Sequence, residues 1–354
     1  MSELFRKAKI QLKNKLPFAI YAKPNSDKSI ALFQKNDSLF TIDNQEISGF
    51  VLVSFDNLQR IIIPESESDI YFETISDITY HFNDNFKEEY NENDKIDFEK
   101  LVNSGIEAIK NNEFEKVVLS RKEVIDIQEN DIEILFNRLC FNYKSAFKYL
   151  FYHPKVGFWV GATPEQLVKV DDLVVKTVSL AGTQVFDEEK PAVWHQKEQK
   201  EQQIVTDYLT EILEKIADDI TVSEPYSQKA GNLVHLKSDL QAEIKASFKI
   251  DFLTHLLHPT PAVCGFPKAK AKQFILENEN YDREFYTGFV GEWQKDFLTF
   301  KEQNSDLFVN LRCMKLVNNK AEIFVGCGIT KDSEPEKEFL ETVNKTITMK
   351  LMVN

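Results

Sequence analysis

Residues 157–183 read GFWVGATPEQLVKVDDLVVKTVSLAGT. Gly157–Val160 is a short apolar run, followed by a turn at Gly161–Pro164 where glycine and proline set the backbone. Gln166–Val170 and Leu173–Val178 then flank Asp171-Asp172, two turn-forming residues between β-branched runs, which predicts a hairpin. Strands joined so tightly pair antiparallel. The pattern recurs downstream, where Leu307–Leu316 and Ala321–Val325 flank Asn318-Asn319. Upstream, Val117–Leu119 is a short β-branched strand.

Two helices accompany these hairpins. From about Trp194 to Ala217, Ile204, Tyr208, Ile212 and Ile216 recur at helical period. Glu201 falls near the middle of that apolar stripe, and a carboxylate on an inward face needs a partner. A second helix begins near Ser333-Glu334-Pro335, with serine as N-cap and proline in the first turn. Phe339, Val343 and Ile347 form its apolar face, and Glu338, Glu341 and Lys345 share the opposite one. Antiparallel hairpins mixed with long helices predict an α+β fold. The polar, acidic stretch 83–98 is expected to be a solvated loop inside one large domain spanning 1–354, with a weakly patterned part, 1–98, and a motif-bearing part, 99–354.

The 354 residues carry a formal charge of −14, which disfavours nucleic acid or an anionic membrane surface as the main partner. A small anionic substrate needs only a locally positive pocket. The four cysteines, Cys140, Cys264, Cys313 and Cys327, form no C-x-x-C pair and suit free thiols in a reducing cytosol. No apolar run reaches the length of a signal peptide core at the N-terminus, or of a membrane span anywhere. A cytoplasmic protein is expected.

Several side chains invite a chemical reading, each with a plain alternative. Lys116 opens a buried-looking strand and is either an aggregation-guarding edge lysine or a base in a partly desolvated pocket. Glu165 follows a turn and is either an exposed loop carboxylate or a general acid with a raised pKa. Ala181-Gly182-Thr183 either makes a plain turn or lets a ligand approach the backbone. Glu201 is satisfied by a lysine or by a divalent cation, and the hard carboxylate donor suits Mg2+. Glu341 alone is a solvated helix charge. His235, between Val234 and Leu236, suits a core histidine. Arg312 needs an anion, from a substrate carboxylate or from a structural Asp or Glu. Gly326 and Gly328, expected in a turn between strand and helix, offer N–H groups to a carboxylate.

In chain order, the motifs are KVVLSR (116–121), GATPEQL (161–167), LAGT (180–183), KEQKEQQIV (197–205), HLKSDL (235–240), HPTPAVCGFPKAKA (258–271), YDREFYTGFVGEW (281–293), LRCMKL (311–316) and GCGITKDSEPEKEFLETVNK (326–345). This series resembles the chorismate-utilising enzymes, over roughly Glu115 to Met349. The resemblance implies two large antiparallel sheets packed together with helices outside, and a buried cleft for chorismate and one Mg2+. Within the family it is to members that add water: those resemble this chain in the lysine at Lys116, whereas the ammonia-using members carry glutamine there. Ala181 stands where aminodeoxychorismate synthases place a nucleophilic lysine. The HPTPAVCGFP run looks more like isochorismate synthases than salicylate synthases.

The implied activity is therefore reversible conversion of chorismate to isochorismate, for menaquinone or siderophore synthesis, with salicylate synthesis as the alternative. The resemblance implies Lys116 as base, Glu165 as acid, and Glu201 and Glu341 as Mg2+ ligands, with Glu338 reaching the metal through water. It assigns Arg312, the Gly326–Gly328 backbone and Lys345 to substrate carboxylate, and His235 with Ala181, Gly182 and Thr183 to the ring site. A monomer without a glutamine amidotransferase subunit is expected. The chain departs from the family at Gln166, where arginine or leucine is common, and at Gln202, where histidine is frequent.

Overall fold

The computed structural model describes residues 2–43, 47–75, 79, 90–129, 131–186, 190–230, 233–244 and 248–353. Two antiparallel sheets dominate it. One has nine strands, in the order Gly265–Phe266, Lys116–Asp126, Lys320–Ile329, Cys313–Val317, Gly157–Thr163, Phe147–His153, Phe18–Ala22, Lys28–Gln34 and Ser68–Thr74. The other has ten: Ala217–Val222, Leu233–Ile244, Val174–Val185, Gln166–Asp171, Ser305–Val309, Phe289–Trp293, Gly49–Val53, Arg60–Pro64 and Phe40–Thr41 in order, with Tyr226–Ala230 beside Leu233–Ile244. The first hundred residues thus supply strands to both sheets.

Period-two side chains from each sheet meet in a shared apolar layer. Tyr21, Phe147 and Tyr149 of the nine-stranded sheet pack with Phe50, Leu52 and Phe308 of the other. Phe147 stacks on Phe308 with centroids 4.6 Å apart, and Tyr21 meets Phe50 at 5.0 Å. Helices cover the outer faces. Glu3–Asn14, Ile132–Asn142 and the end of Pro335–Val353 pack on the nine-stranded sheet, and Gln196–Glu214 and Ile250–Leu257 on the ten-stranded one. This is the α+β, two-sheet architecture expected from the sequence. No helix among the described residues is long and apolar enough to cross a membrane. All four cysteines are free and buried.

The hairpin at Asp171-Asp172 forms, with Asp172 in the left-handed region at φ 57°. The second hairpin differs from expectation. Leu307–Leu316 is not one strand: Ser305–Val309 lies in the ten-stranded sheet and Cys313–Val317 in the nine-stranded one, with Arg312 at φ 47° in the crossing between them. An apolar pattern continues across such a corner because both sheets bury the same layer. The acidic stretch is only partly a loop. Residues 83–89 lie outside the described residues, but Glu92–Lys110 is a helix capped by Asn91, with Phe98 buried. Phe98, Val102, Ile106 and Ile109 recur on one face of it, a helical period hidden by the flanking charges.

The long helix Gln196–Glu214 buries Gln202, Val205, Thr206, Leu209, Ile212 and Leu213, whereas Ile204 and Tyr208 are half-buried. The inward stripe is therefore turned by one residue from the expected one. Glu201 sits on its flank, facing a cavity and not the core.

Candidate active site

At two of the places where the chain passes from one sheet to the other, the crossing borders one cavity. The first runs from Thr163 to Gln166 and carries Glu165. The second runs from Val309 to Cys313 and carries Arg312. The crossings hold each other: Val309 N donates to Glu165 O at 2.9 Å, Ala162 N to Arg312 O at 3.0 Å, and Thr163 Oγ1 to Val309 O at 2.6 Å. The cavity of about 550 Å³ is lined by Lys116, Glu165, Ala181, Gly182, Glu201, His235, Arg312, Gly326, Gly328, Glu338, Glu341 and Lys345. Every candidate residue but Thr183 lines it. Thr183 pairs with His235 through its backbone, and its side chain lies outside the described residues.

Lys116 is 4% exposed, and the strand that carries it is covered at its outer edge by Gly265–Phe266, so it is not an edge-guarding lysine. Its Nζ donates to Glu201 Oε1 at 2.5 Å. The partner that Glu201 requires is therefore a lysine, and it is the lysine of the candidate site. Gly328 leaves room beside this pair. A Cβ there would lie 3.1 Å from Lys116 Cε and 3.3 Å from Glu201 Oε1. Gly326 and Gly328 are not in a turn, as the spacing suggested, but inside the strand Lys320–Ile329, opposite Ser120 and Val118. Their smallness opens room on the sheet face.

Glu165 is half-buried by surface area, and its carboxyl lines the cavity amid packed protein atoms. Burial pushes its pKa up to about 7, against the pull of Lys116, Lys345 and Arg312. Arg312 donates to Lys345 O at 3.3 Å and Thr348 Oγ1 at 3.2 Å. Among the described residues no carboxylate forms an ion pair with it, so the structural Asp or Glu alternative is not realised. Lys345 donates to Glu341 Oε1 at 2.6 Å and to Gly326 O at 2.9 Å. His235 Nδ1 lies 3.1 Å from Gly182 O, a pure acceptor, so Nδ1 carries the proton and Nε2 is left as an acceptor. Burial pushes its pKa down, which keeps the ring neutral.

Gly182 has a reason other than ligand approach. It sits at a bulge with φ 71°, and a Cβ there would lie 3.1 Å from Glu198 Cβ. Glu198 also lines the cavity, as do Tyr286, Lys237 and Val263, none singled out from sequence. Glu198 had a readable signal: it precedes Glu201 by the same helical spacing that separates Glu338 from Glu341. Tyr286 and Val263 had none, because their loops reach the cavity only through tertiary packing.

Among the described residues, no group of three or more His, Cys, Asp or Glu side chains gathers as a metal cage. Instead, Glu198 and Glu201 on one helix and Glu338 and Glu341 on another line the same cavity. That donor set fits Mg2+, which binds through one or two carboxylates and completes its shell with water and substrate oxygens.

The family described as chorismate binding enzyme matches residues 53–354. Isochorismate synthase EntC of Escherichia coli (strain K12) is 33% identical over 266 residues, covering 71% of this chain and 66% of its own length. Salicylate biosynthesis isochorismate synthase of Pseudomonas aeruginosa is 28% identical over 262 residues, 72% of this chain and 54% of its own length. The chain thus spans less than two thirds of these curated relatives. The solved structure of MenF, the menaquinone-specific isochorismate synthase from Escherichia coli, matches with a TM-score of 0.78 over 96% of this chain and 89% of that one, at 20% identity. At that identity the likeness is one of fold.

Proposed function

Because this chain belongs to the chorismate binding enzyme family, we propose that it is an isochorismate synthase, adding water at C2 of chorismate and expelling the C4 hydroxyl as water. Lys116 is the base that takes a proton from the incoming water. Glu165 is the acid that gives a proton to the departing hydroxyl. The ring double bonds shift between these events, so one water enters and one leaves, and the reaction runs in either direction. The observation that carries this reading is Glu165 itself: a carboxyl pushed up to about 7 in the cavity lined by Lys116 is protonated often enough near neutrality to act as an acid.

Arg312 and Lys345 receive substrate carboxylate, since Arg312 lines the cavity without an ion-pair partner among the described residues. Neutral His235 and the Ala181–Gly182 backbone border the ring. Glu201 and Glu341 would hold Mg2+, with Glu338 and Glu198 beside them. When bound, the metal neutralises the ring carboxylate and the charge of the acidic pair. Glu201, which accepts from Lys116 Nζ at 2.5 Å, would thus be shared between the base and such a metal. An enzyme that uses water needs no ammonia-delivering subunit, so none is expected; in this reading the chain is a cytoplasmic monomer that feeds menaquinone or siderophore synthesis.

The test is product analysis after incubation with chorismate and Mg2+, with and without EDTA. Isochorismate formed only with the metal is expected. Salicylate with pyruvate, or anthranilate in the presence of ammonia, reassigns the reaction.

A further inference from the structure

Arg283, in the YDRE run, stands behind the cavity wall with Glu279 one helical turn's spacing away; both side chains are 2% exposed. The guanidinium grips the carboxylate as a fork: Nε donates to Oε2 at 2.7 Å and Nη2 to Oε1 at 2.6 Å. Its other donors go elsewhere. Nη2 also donates to Val118 O at 2.7 Å, and Nη1 to Val263 O and Thr287 Oγ1, each at 3.2 Å. All five N–H bonds of the side chain thus have an acceptor. Glu279 accepts in addition from Ser120 N and Ser120 Oγ, both at 2.8 Å.

Val118, Val263 and Thr287 come from three separate segments, and all three line the cavity. Val118 follows Lys116 by two residues and so shares its strand face. A buried ion pair is weak ground for stability, because apolar residues of similar size often serve as well. What a guanidinium supplies, and an apolar residue or a lysine does not, is five donors in one rigid plane.

We propose that Arg283, held by Glu279, is a positioning residue that locks the Lys116–Ser120 strand against the 260–264 and 285–288 loops and so fixes the Lys116 amine relative to the cavity. It touches no reacting atom and acts through Lys116. Its kinetic consequence rests on the proposed role of Lys116; its geometric consequence does not.

The test compares the full chain with Arg283→Lys, which keeps the ion pair but cannot span the other acceptors. In a variant that shows a cooperative melt, kcat falls at least tenfold while KM for chorismate stays within threefold, because the cavity survives and only the amine is misplaced. Acylation of Lys116 by an N-hydroxysuccinimide ester, read by mass spectrometry against exposed Lys110, rises at least fivefold. Labelling needs no turnover: a parent protein that leaves chorismate unchanged defeats the proposed reaction, while the labelling ratio still judges the clamp. A folded variant with kcat within twofold and unchanged labelling overturns the proposal. If Arg283→Lys does not fold, Tyr281→Phe decides, since it removes only the Tyr281 Oη–Ser120 Oγ contact of 2.7 Å beside Glu279. A threefold or greater loss of kcat with raised labelling upholds the proposal, and no change in either overturns it.

Discussion

Lys116 and Glu201 form an ion pair of 2.5 Å that joins a strand of one sheet to a helix lying on the other. It places a candidate base and a candidate metal ligand in direct contact, so binding at one is coupled to the state of the other. Glu201 also answers a demand visible in the sequence, an acidic residue beside an apolar helix face. Replacing Lys116 with Gln keeps a polar side chain, one atom shorter, but removes the base. Conversion of chorismate should fall by about 100-fold to 10,000-fold, the range for loss of a general base, with the fold retained by circular dichroism. Activity within tenfold of the parent would exclude Lys116 as the base.

With Glu165 as the acid, its titration should set the alkaline limb of the rate profile. Its pKa is raised from 4.5 to about 7, chiefly by burial, so the proton it must donate is present below that value and lost above it. The kcat/KM profile should therefore decline as pH rises through about 7. Glu165→Gln should lower kcat and abolish that limb. A limb that persists unchanged in the variant belongs to another group.

Magnesium should stabilise the folded chain. Ligand at about 100 times its Kd contributes roughly 2.7 kcal/mol, readable as a rise in Tm. Glu201→Gln and Glu341→Gln should each remove most of that rise, and Glu338→Gln less of it. A full Mg2+ shift in both of the first two variants would place the metal elsewhere.

Gly328→Ala tests the space around the ion pair. The added Cβ would stand 3.1 Å from Lys116 Cε and 3.3 Å from Glu201 Oε1, so both must give by a few tenths of an ångström. Small displacements of catalytic groups are expensive in rate, and kcat should drop by about tenfold with little change in Tm. A variant as active as the parent would show that the pair tolerates displacement.

Away from the cavity, Glu292 is fully buried, with Tyr21 Oη donating to it at 2.7 Å and Lys23 paired at 2.5 Å. Asp296 also faces this group, paired to Lys23 at 2.6 Å. Burial raises the Glu292 pKa from 4.5 to about 7 against the pull of Lys23. The folded state therefore binds a proton that the unfolded chain has lost, and stability should fall as pH rises between those two values. Glu292→Gln should flatten that slope in urea titrations. An unchanged slope would remove Glu292 as its cause.

The motif-bearing residues were legible where side-chain chemistry and local period coincide. The Asp171-Asp172 hairpin and the two glutamate-bearing helices needed no tertiary information. The corner at Arg312 did not show, because both sheets bury one apolar layer and the period-two pattern runs through the crossing. Gly326 and Gly328 looked like a turn because a strand glycine that vacates space for Lys116 is indistinguishable, in sequence, from one that turns the chain. Val263 and Tyr286 were invisible for a related reason: tertiary packing places them on the cavity wall, Val263 with its carbonyl accepting from Arg283 Nη1.

The most direct test of Lys116-driven water addition is turnover of chorismate in 18O-enriched water with Mg2+. The account predicts isochorismate carrying one 18O, at the C2 hydroxyl, and loss of that incorporation in Lys116→Gln. Isochorismate formed without 18O at C2, or equal incorporation by the Lys116→Gln variant, would contradict it.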